Sequence, residues 1–316
     1  MTMTCSADHC ACVTGGELGV ALSGGGARGL AQIGVLKVLE RARIPVSFVA
    51  GTSAGAVIGA VYATSQTALQ AEQRILEHLA TTGVGFNTET FETLAGSNAR
   101  RPTGFLGMLG TLRRAARPGG GLIGGDAMRA SLRRLLGAAT FAGARIPFAA
   151  TALDLVTGRR VIFAEGPLVD AVYASSAIPG LFEPLRIGDH VLVDGGWAEP
   201  VPVSTCHHLG AIHVVAVDVA DRHVHETGRG AVSTALLADA LARQLLEESQ
   251  LKEADFVVRP QAAIRHFADF SDPAGLIAAG KQAAEATMPD IAAVLERHRS
   301  LFVRATSSPM ASSTGA

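Results

Sequence analysis

Apolar and polar positions alternate along this chain with two different periods. Residues 18–23 are a continuous apolar run closing in glycines, the mark of a short strand buried on both faces. Residues 27–43 carry the helical period, with Lys37, Glu40 and Arg41 on a polar stripe. A second apolar run at 46–50 precedes a small-residue helix at 54–63. Further strands are expected at 147–152, 161–164, 191–193, 212–219 and 256–259, and helices near 66–80, 126–136, 232–252 and 286–299. Strands alternating with helices predict an α/β fold, a central mostly parallel sheet flanked by helices in three layers. No internal repeat is present.

Two stretches depart from the pattern at the ends. Residues 1–17 and 303–316 are small, polar and aperiodic, and are expected to be poorly ordered tails around one domain spanning 18–302. The third exception is internal. Residues 83–125 are Gly-rich, yet Phe105, Leu106, Met108, Leu109 and Leu112 fall on one helical face followed by Arg113, Arg114 and Arg117. Between 81 and 134 stand eight Arg against Glu89, Glu92 and Asp126, a local excess of five positive charges. An apolar face beside basic charge suits a lid or a surface for peripheral membrane contact, and equally a flap packed on the domain.

Composition narrows the partners. A net charge of -1 argues against a nucleic-acid partner, which would select a basic excess. Three of the four Cys (Cys5, Cys10, Cys12) crowd the N-terminus, too few for a disulfide scaffold. With His9 they match no zinc spacing, and no acidic loop suits calcium, so neither metal nor cofactor is expected. No secretory signal and no apolar run of membrane-spanning length is visible, which points to a cytoplasmic protein able to sit peripherally on a membrane.

The chemistry concentrates at strand ends. Ser23-Gly24-Gly25-Gly26-Ala27-Arg28-Gly29 joins the first strand to the first helix, and such a glycine loop aims backbone N–H groups at an anion. Gly24, Gly26 and Gly29 formally satisfy a dinucleotide motif, but no acid ends the second strand where a ribose would need one. The other anion is the transient oxyanion of acyl transfer. Gly51-Thr52-Ser53-Ala54-Gly55 is G-x-S-x-G between a strand and a helix, the setting of a nucleophile elbow. Both loops follow consecutive strands and so emerge at the same sheet edge. Asp194, followed by Gly195 and Gly196, places a carboxylate at another strand end, although such a triplet is also a common plain turn. Asp218 is the runner-up base, and Asp154 lines a pocket or holds a turn. No His after the elbow has a distinctive setting.

In this order and spacing the three motifs resemble the patatin-like phospholipase family, small bacterial members above all. The likeness runs from Leu18 to Val203 and includes Ala152-Leu-Asp-Leu-Val-Thr-Gly158 and Ala174-Ser-Ser-Ala-Ile-Pro-Gly-Leu-Phe182. It implies a serine lipid acyl hydrolase with Ser53 as nucleophile and Asp194 as its base. The oxyanion hole would lie around Gly25, Gly26 and Ala27, with Arg28 holding the loop and a lipid or lysophospholipid as substrate. Two positions depart from the family pattern: Gln32 stands where relatives carry His, and Glu199 where they carry Asn. A Glu near Asp194 would raise its pKa or alter substrate choice. The alternatives are an α/β-hydrolase esterase using Ser, Asp and His, and a lipid- or nucleotide-binding protein without turnover.

Overall fold

The computed structural model describes residues 18–82, 125–220, 230–261 and 267–307. Strand β1 (Leu18–Leu22) passes through a tight turn into α1 (Ala31–Arg41), and β2 (Phe48–Gly51) enters α2 (Ala54–Ala63) and then α3 (Ala68–Thr82). After α4 (Gly125–Leu136) come β3 (Phe148–Asp154), β4 (Arg159–Phe163), α5 (Leu168–Ser176), β5 (Leu185–Ile187) and β6 (His190–Asp194). The described chain closes with α6 (Val203–Leu209), β7 (His213–Val217), α7 (Ala231–Leu251), β8 (Phe256–Val258) and α8 (Pro273–Ser307).

Eight strands form one sheet in the order β5-β6-β3-β2-β1-β7-β8, with β4 also paired to β3. From β3 through β2, β1 and β7 to β8 every pairing is parallel. β1 is buried on both faces, as its uninterrupted apolar run requires. Leu18, Val20 and Leu22 point into the larger core, while Ala21 joins a smaller one with Phe48, Val203 and Val214. Helices therefore cover both sides, as the alternating pattern predicts.

β3 is the hinge of the topology. Ala152 and Asp154 each pair with β4 and with β6, so those two strands lie on opposite flanks. Ala150 pairs with both Phe163 of β4 and Gly51 of β2, so β2 also lies across from β4. β2 and β6 thus share one flank of β3, β2 along its first half and β6, antiparallel, along its second. Their C-terminal ends meet there, opposite Ala150 and Ala152, a separation of about 7 Å along the strand.

Three elements depart from the periodicity. α5 and β5 are too short and too evenly apolar to show a period, and α6 spans only two turns. The last helix begins at Pro273 rather than 286, because Gly275 and Gly280 belong to a helix packed tightly on α1. A Cβ on Gly280 would fall 1.7 Å from the Ala31 carbonyl oxygen. α8 also reaches Ser307, overlapping the segment read as a C-terminal tail. Residues 1–17 and 83–124 lie outside the described residues, and with them the expected N-terminal tail, the membrane-facing segment and Cys5, His9, Cys10 and Cys12. Among the described residues no cluster of metal-ligating side chains occurs, and no helix is long and apolar enough to cross a membrane.

The contact between elbow and first strand is tightest at Gly55, where a Cβ would stand 2.1 Å from the Leu22 carbonyl oxygen. Ala for Gly within a helix ordinarily stabilises; here it must push α2 off β1. Gly55→Ala is expected to lower unfolding free energy by about 2–4 kcal/mol, read by urea denaturation. A stability at or above the parent's would show that the two elements are less tightly apposed.

Candidate active site

Ser53 occupies the sharp turn between β2 and α2 with φ 56° and ψ -120°. For a residue with a side chain this is a strained backbone, held only where the surroundings over-determine it. The surroundings are the C-terminal end of α5. The Ser53 N–H donates to Ser175 Oγ at 2.9 Å, and Ser176 Oγ donates to the Ser53 carbonyl at 3.3 Å. The next residue, Ala177, accepts the Asp194 N–H through its carbonyl at 2.9 Å. Three successive residues therefore grip the backbones of both Ser53 and Asp194. On the other side of the turn, buried Thr52 donates Oγ1 to the Glu199 carbonyl at 2.7 Å and lies 2.7 Å from Thr151 Oγ1.

Asp194 ends β6 where β2 ends, which brings its carboxylate to the Ser53 hydroxyl. The hydroxyl is near enough to favour the ionised carboxylate, and Asp194 Oδ1 accepts the Gly196 N–H at 2.7 Å. The residue is 3% exposed. Burial, opposed by the Ser53 hydroxyl, the Gly196 N–H and the positive charge of Arg243, pushes its carboxyl up to about 6. A carboxylate so placed is a better base than a solvated one and is still ionised at neutral pH.

The glycine loop faces this pair. A Cβ on Gly24 would lie 3.4 Å from Ser53 Cβ, so the loop's inner side is taken up by the serine rather than open to a pyrophosphate. Its N–H groups are not equivalent. That of Gly24 is given to the Pro200 carbonyl, that of Arg28 to the Gly25 carbonyl, and that of Ala27 to the Phe267 carbonyl at 2.6 Å. The expectation that Ala27 helps bind an oxyanion is thereby corrected: its donor is already committed. Within the described residues the N–H groups of Gly25 and Gly26 remain unengaged. Gly26 adopts φ 59° against the Phe267 carbonyl, where a Cβ would come within 2.1 Å, so only glycine serves there.

Other expectations resolve into structure. Asp154 is buried and accepts from His190, Thr157 and the N–H groups of Val156 and Val191. Burial pushes its carboxyl up, and these bonds more than offset that and hold it well below the usual range. It secures the β3–β4 turn. Asp218 pairs with Arg259 Nε at 3.0 Å and caps the Ala220 N–H. Glu199 is buried too, but Arg160, Ser204, Thr205 Oγ1 and the Thr205 N–H surround its carboxylate. Its influence on Asp194 through charge is not what raises that group; burial is. Gln32 donates Nε2 to the Ser23 carbonyl at 2.7 Å, bracing the glycine loop from behind. Of the His residues, His78, His190, His207 and His213 bond to Ser131, Asp154, Ala211 and Asp255, away from Ser53. His223, His225 and His266 lie outside the described residues.

Sequence reasoning missed Ser175, Ser176, Phe267 and a group around Trp197. Only the run Ala174–Phe182 carried any signal, as part of a resemblance and without a role. Trp197 follows the Asp194 turn; its Nε1 donates to Asp239 at 2.9 Å, and Arg243 lies over its ring at 4.6 Å.

Comparison with known proteins agrees with these motifs. The family model described as patatin-like phospholipase matches residues 20–207, which include the glycine loop, the elbow and the Asp194 turn. The human patatin-like phospholipase domain-containing protein 6 is 31% identical over 209 residues, 66% of this chain and 14% of that protein. An uncharacterised NTE family protein of Mycobacterium tuberculosis is 30% identical over 203 residues, 64% of this chain and 49% of its own length. The match thus spans half or less of these relatives. Among solved structures, VipD from Legionella pneumophila aligns with a TM-score of 0.44 at 13% identity, covering 86% of this chain and 67% of that one.

Two outcomes follow from the geometry. Native Asp194 binds its proton more tightly than the unfolded chain does, so the associated stability is complete below about pH 4 and lost as pH rises through about 6. Asp194→Asn keeps the shape without the charge. It is expected to stabilise the fold by roughly 1–3 kcal/mol at pH 7.5, a gain that vanishes near pH 4 in thermal unfolding. A variant less stable than the parent at both pH values would contradict the buried charge. Ser175→Ala strips the Ser53 N–H of its acceptor, and is expected to slow covalent modification of Ser53 about 10-fold or more while Ser175→Thr retains the rate.

Proposed function

The chain belongs to the patatin-like phospholipase family, and we propose that it is a serine lipid acyl hydrolase in which Ser53 and Asp194 work as a dyad without His. The observation that carries this is the juxtaposition of the Ser53 hydroxyl, on a strained elbow, with a buried Asp194 carboxylate raised to about 6. The reading takes a lipid or lysophospholipid ester as substrate, with no metal or cofactor.

In acylation Ser53 Oγ bonds to the ester carbonyl carbon as Asp194 accepts the hydroxyl proton. The carbonyl π pair moves to the oxygen, and the resulting oxyanion is met by the N–H groups of Gly25 and Gly26. A well-placed donor of this kind contributes roughly 3–4 kcal/mol to the transition state. Collapse breaks the bond to the alkoxy group, which leaves with the proton from Asp194. Deacylation repeats the sequence with water: Asp194 takes its proton, hydroxide oxygen adds to the acyl carbon, and Ser53 recovers the proton as the fatty acid departs. The carboxylate must be ionised for either half, so turnover is expected to fall below pH about 6.

The experiment is intact mass after treatment with a fluorophosphonate, run on the parent, Ser53→Ala and Asp194→Asn, each shown to be folded by circular dichroism. One adduct on the parent, none on Ser53→Ala and at least a 100-fold slower rate on Asp194→Asn are expected. A parent that takes no adduct, or a Ser53→Ala protein that labels equally well, would sink the proposal.

A further inference from the structure

α7 lies across the turn that carries Asp194. Gln250, near its C-terminal end, accepts the Val201 N–H at 3.1 Å and donates to the Ala198 carbonyl at 3.2 Å, pinning the helix to that turn. At 100° per residue, Leu236, Asp239 and Arg243 fall on the same face as Gln250. That face is half-buried at Gln250, Arg243 and Asp239 and open at Leu236, which is 66% exposed. From the turn that carries Asp194 the helix thus offers first a cation and then, about 10 Å on, an exposed apolar side chain.

Arg243 is oriented rather than loose. Its Nε donates to Asp239 Oδ2 at 3.0 Å, and the guanidinium lies over the Trp197 ring, 4.6 Å from its centre. Asp239 in turn holds the Trp197 Nε1–H through its other oxygen. With both carboxylate oxygens engaged, Asp239 fixes the plane of the guanidinium. The two Nη groups form no hydrogen bond or ion pair to any described residue. An arginine pinned at Nε and stacked on an aromatic presents those Nη groups as a ready fork for two oxygens of one anion. It is close enough to the reacting pair for its charge to be felt by Asp194.

We propose that Arg243, stacked on Trp197 and braced by Asp239, is the specificity residue that takes the phosphate of an acyl-ester substrate, with Leu236 bordering its apolar part. This rests on the hydrolase reading above and adds to it a preference among esters. A phosphate brought beside the Asp194 and Asp239 carboxylates is repelled unless a cation receives it, and among the described residues the Arg243 fork is placed to do so. A neutral glyceride makes no such demand.

The test compares octanoyl-glycerol phosphate with octanoyl-glycerol, both below micelle formation, at about pH 8, where titration of the carboxyl no longer contributes. The ratio of their kcat/KM values is measured for the parent, Arg243→Gln and Arg243→Lys. In Arg243→Gln the ratio is expected to drop roughly 10- to 100-fold, the range for losing charge-assisted hydrogen bonds, with Lys intermediate because it keeps the charge without the fork. Taking a ratio removes any common change in turnover that the lost charge near Asp194 brings. Inorganic phosphate, titrated as an inhibitor of octanoyl-glycerol hydrolysis, separates the sources. Inhibition that weakens in Arg243→Gln while the ratio stays constant means that the fork takes free phosphate and not the head of the substrate, which overturns the proposal. An unchanged ratio without inhibition, or a parent that does not prefer the phosphate ester, overturns it also. If the parent labels at Ser53 with a fluorophosphonate yet shows no preference, the hydrolase reading stands and only the phosphate assignment fails.

Discussion

The site depends on one arrangement of strands: β2 and β6 occupy the same flank of β3 and end facing each other. β2 stops opposite Ala150, and β6, running the other way, stops opposite Ala152. A strand end is where side chains leave the sheet's hydrogen-bond ladder, and two C-terminal ends meeting on one flank deliver their last side chains to a shared point. Ser53 comes from one and Asp194 from the other. Were β6 parallel to β3, its carboxylate would emerge at a different place along the strand, and no local adjustment would bring it to Ser53. α5 then fixes what the sheet has brought close. Its last turn binds the Ser53 backbone through Ser175 and Ser176 and the Asp194 backbone through Ala177.

Two unfavourable features are concentrated there and are supported from outside. Ser53 holds a φ that residues with a side chain rarely adopt, and four neighbouring groups bond its N–H and carbonyl in place. Asp194 is a charge taken out of water, and among the described residues the Ser53 hydroxyl, one backbone N–H and the field of Arg243 compensate it. Asp154, equally buried, is the useful contrast. With four donors, two of them backbone N–H groups, it is held ionised far into acid. The same residue type in the same sheet is held ionised far into acid where donors are plentiful and has its carboxyl raised where they are scarce.

That contrast also sets what the sequence made legible. Ser53 and Asp194 could be picked out because glycines flank them at strand ends, and the need for glycine is local: Gly51 and Gly55 sit where a Cβ would strike backbone. The parallel core of the sheet was legible for a similar reason, since β1 and β7 are apolar on both faces. The antiparallel course of β6 was not, because a period of two reads alike in both directions. Nor was the grip of Ser175 on Ser53, a contact between residues 122 apart. A serine at a helix end carries no mark of its partner. The glycine loop was recognisable as a donor array, yet which donors stay open was decided by the Phe267 carbonyl, which arrives from the far end of the domain and takes the Ala27 N–H.

The contributors to the site divide along the chain in a way that bears on selectivity. The family match ends at residue 207, and Ser53, Asp194, the glycine loop and the end of α5 all lie within it. Several described groups around them come later: Phe267 against the loop, Gln250 on the Asp194 turn, Asp239 and Arg243 against Trp197. A reaction tolerates little change in the groups that touch the reacting atoms, because sub-ångström displacements already slow it. Residues that would face the rest of a substrate are held to no such tolerance. On the hydrolase reading, a chain built in this order would keep the bond-breaking groups in its first two-thirds and leave the choice among esters to the helices that follow. Trp197 marks the seam, since it belongs to the base turn by sequence and to the α7 wall by its contacts.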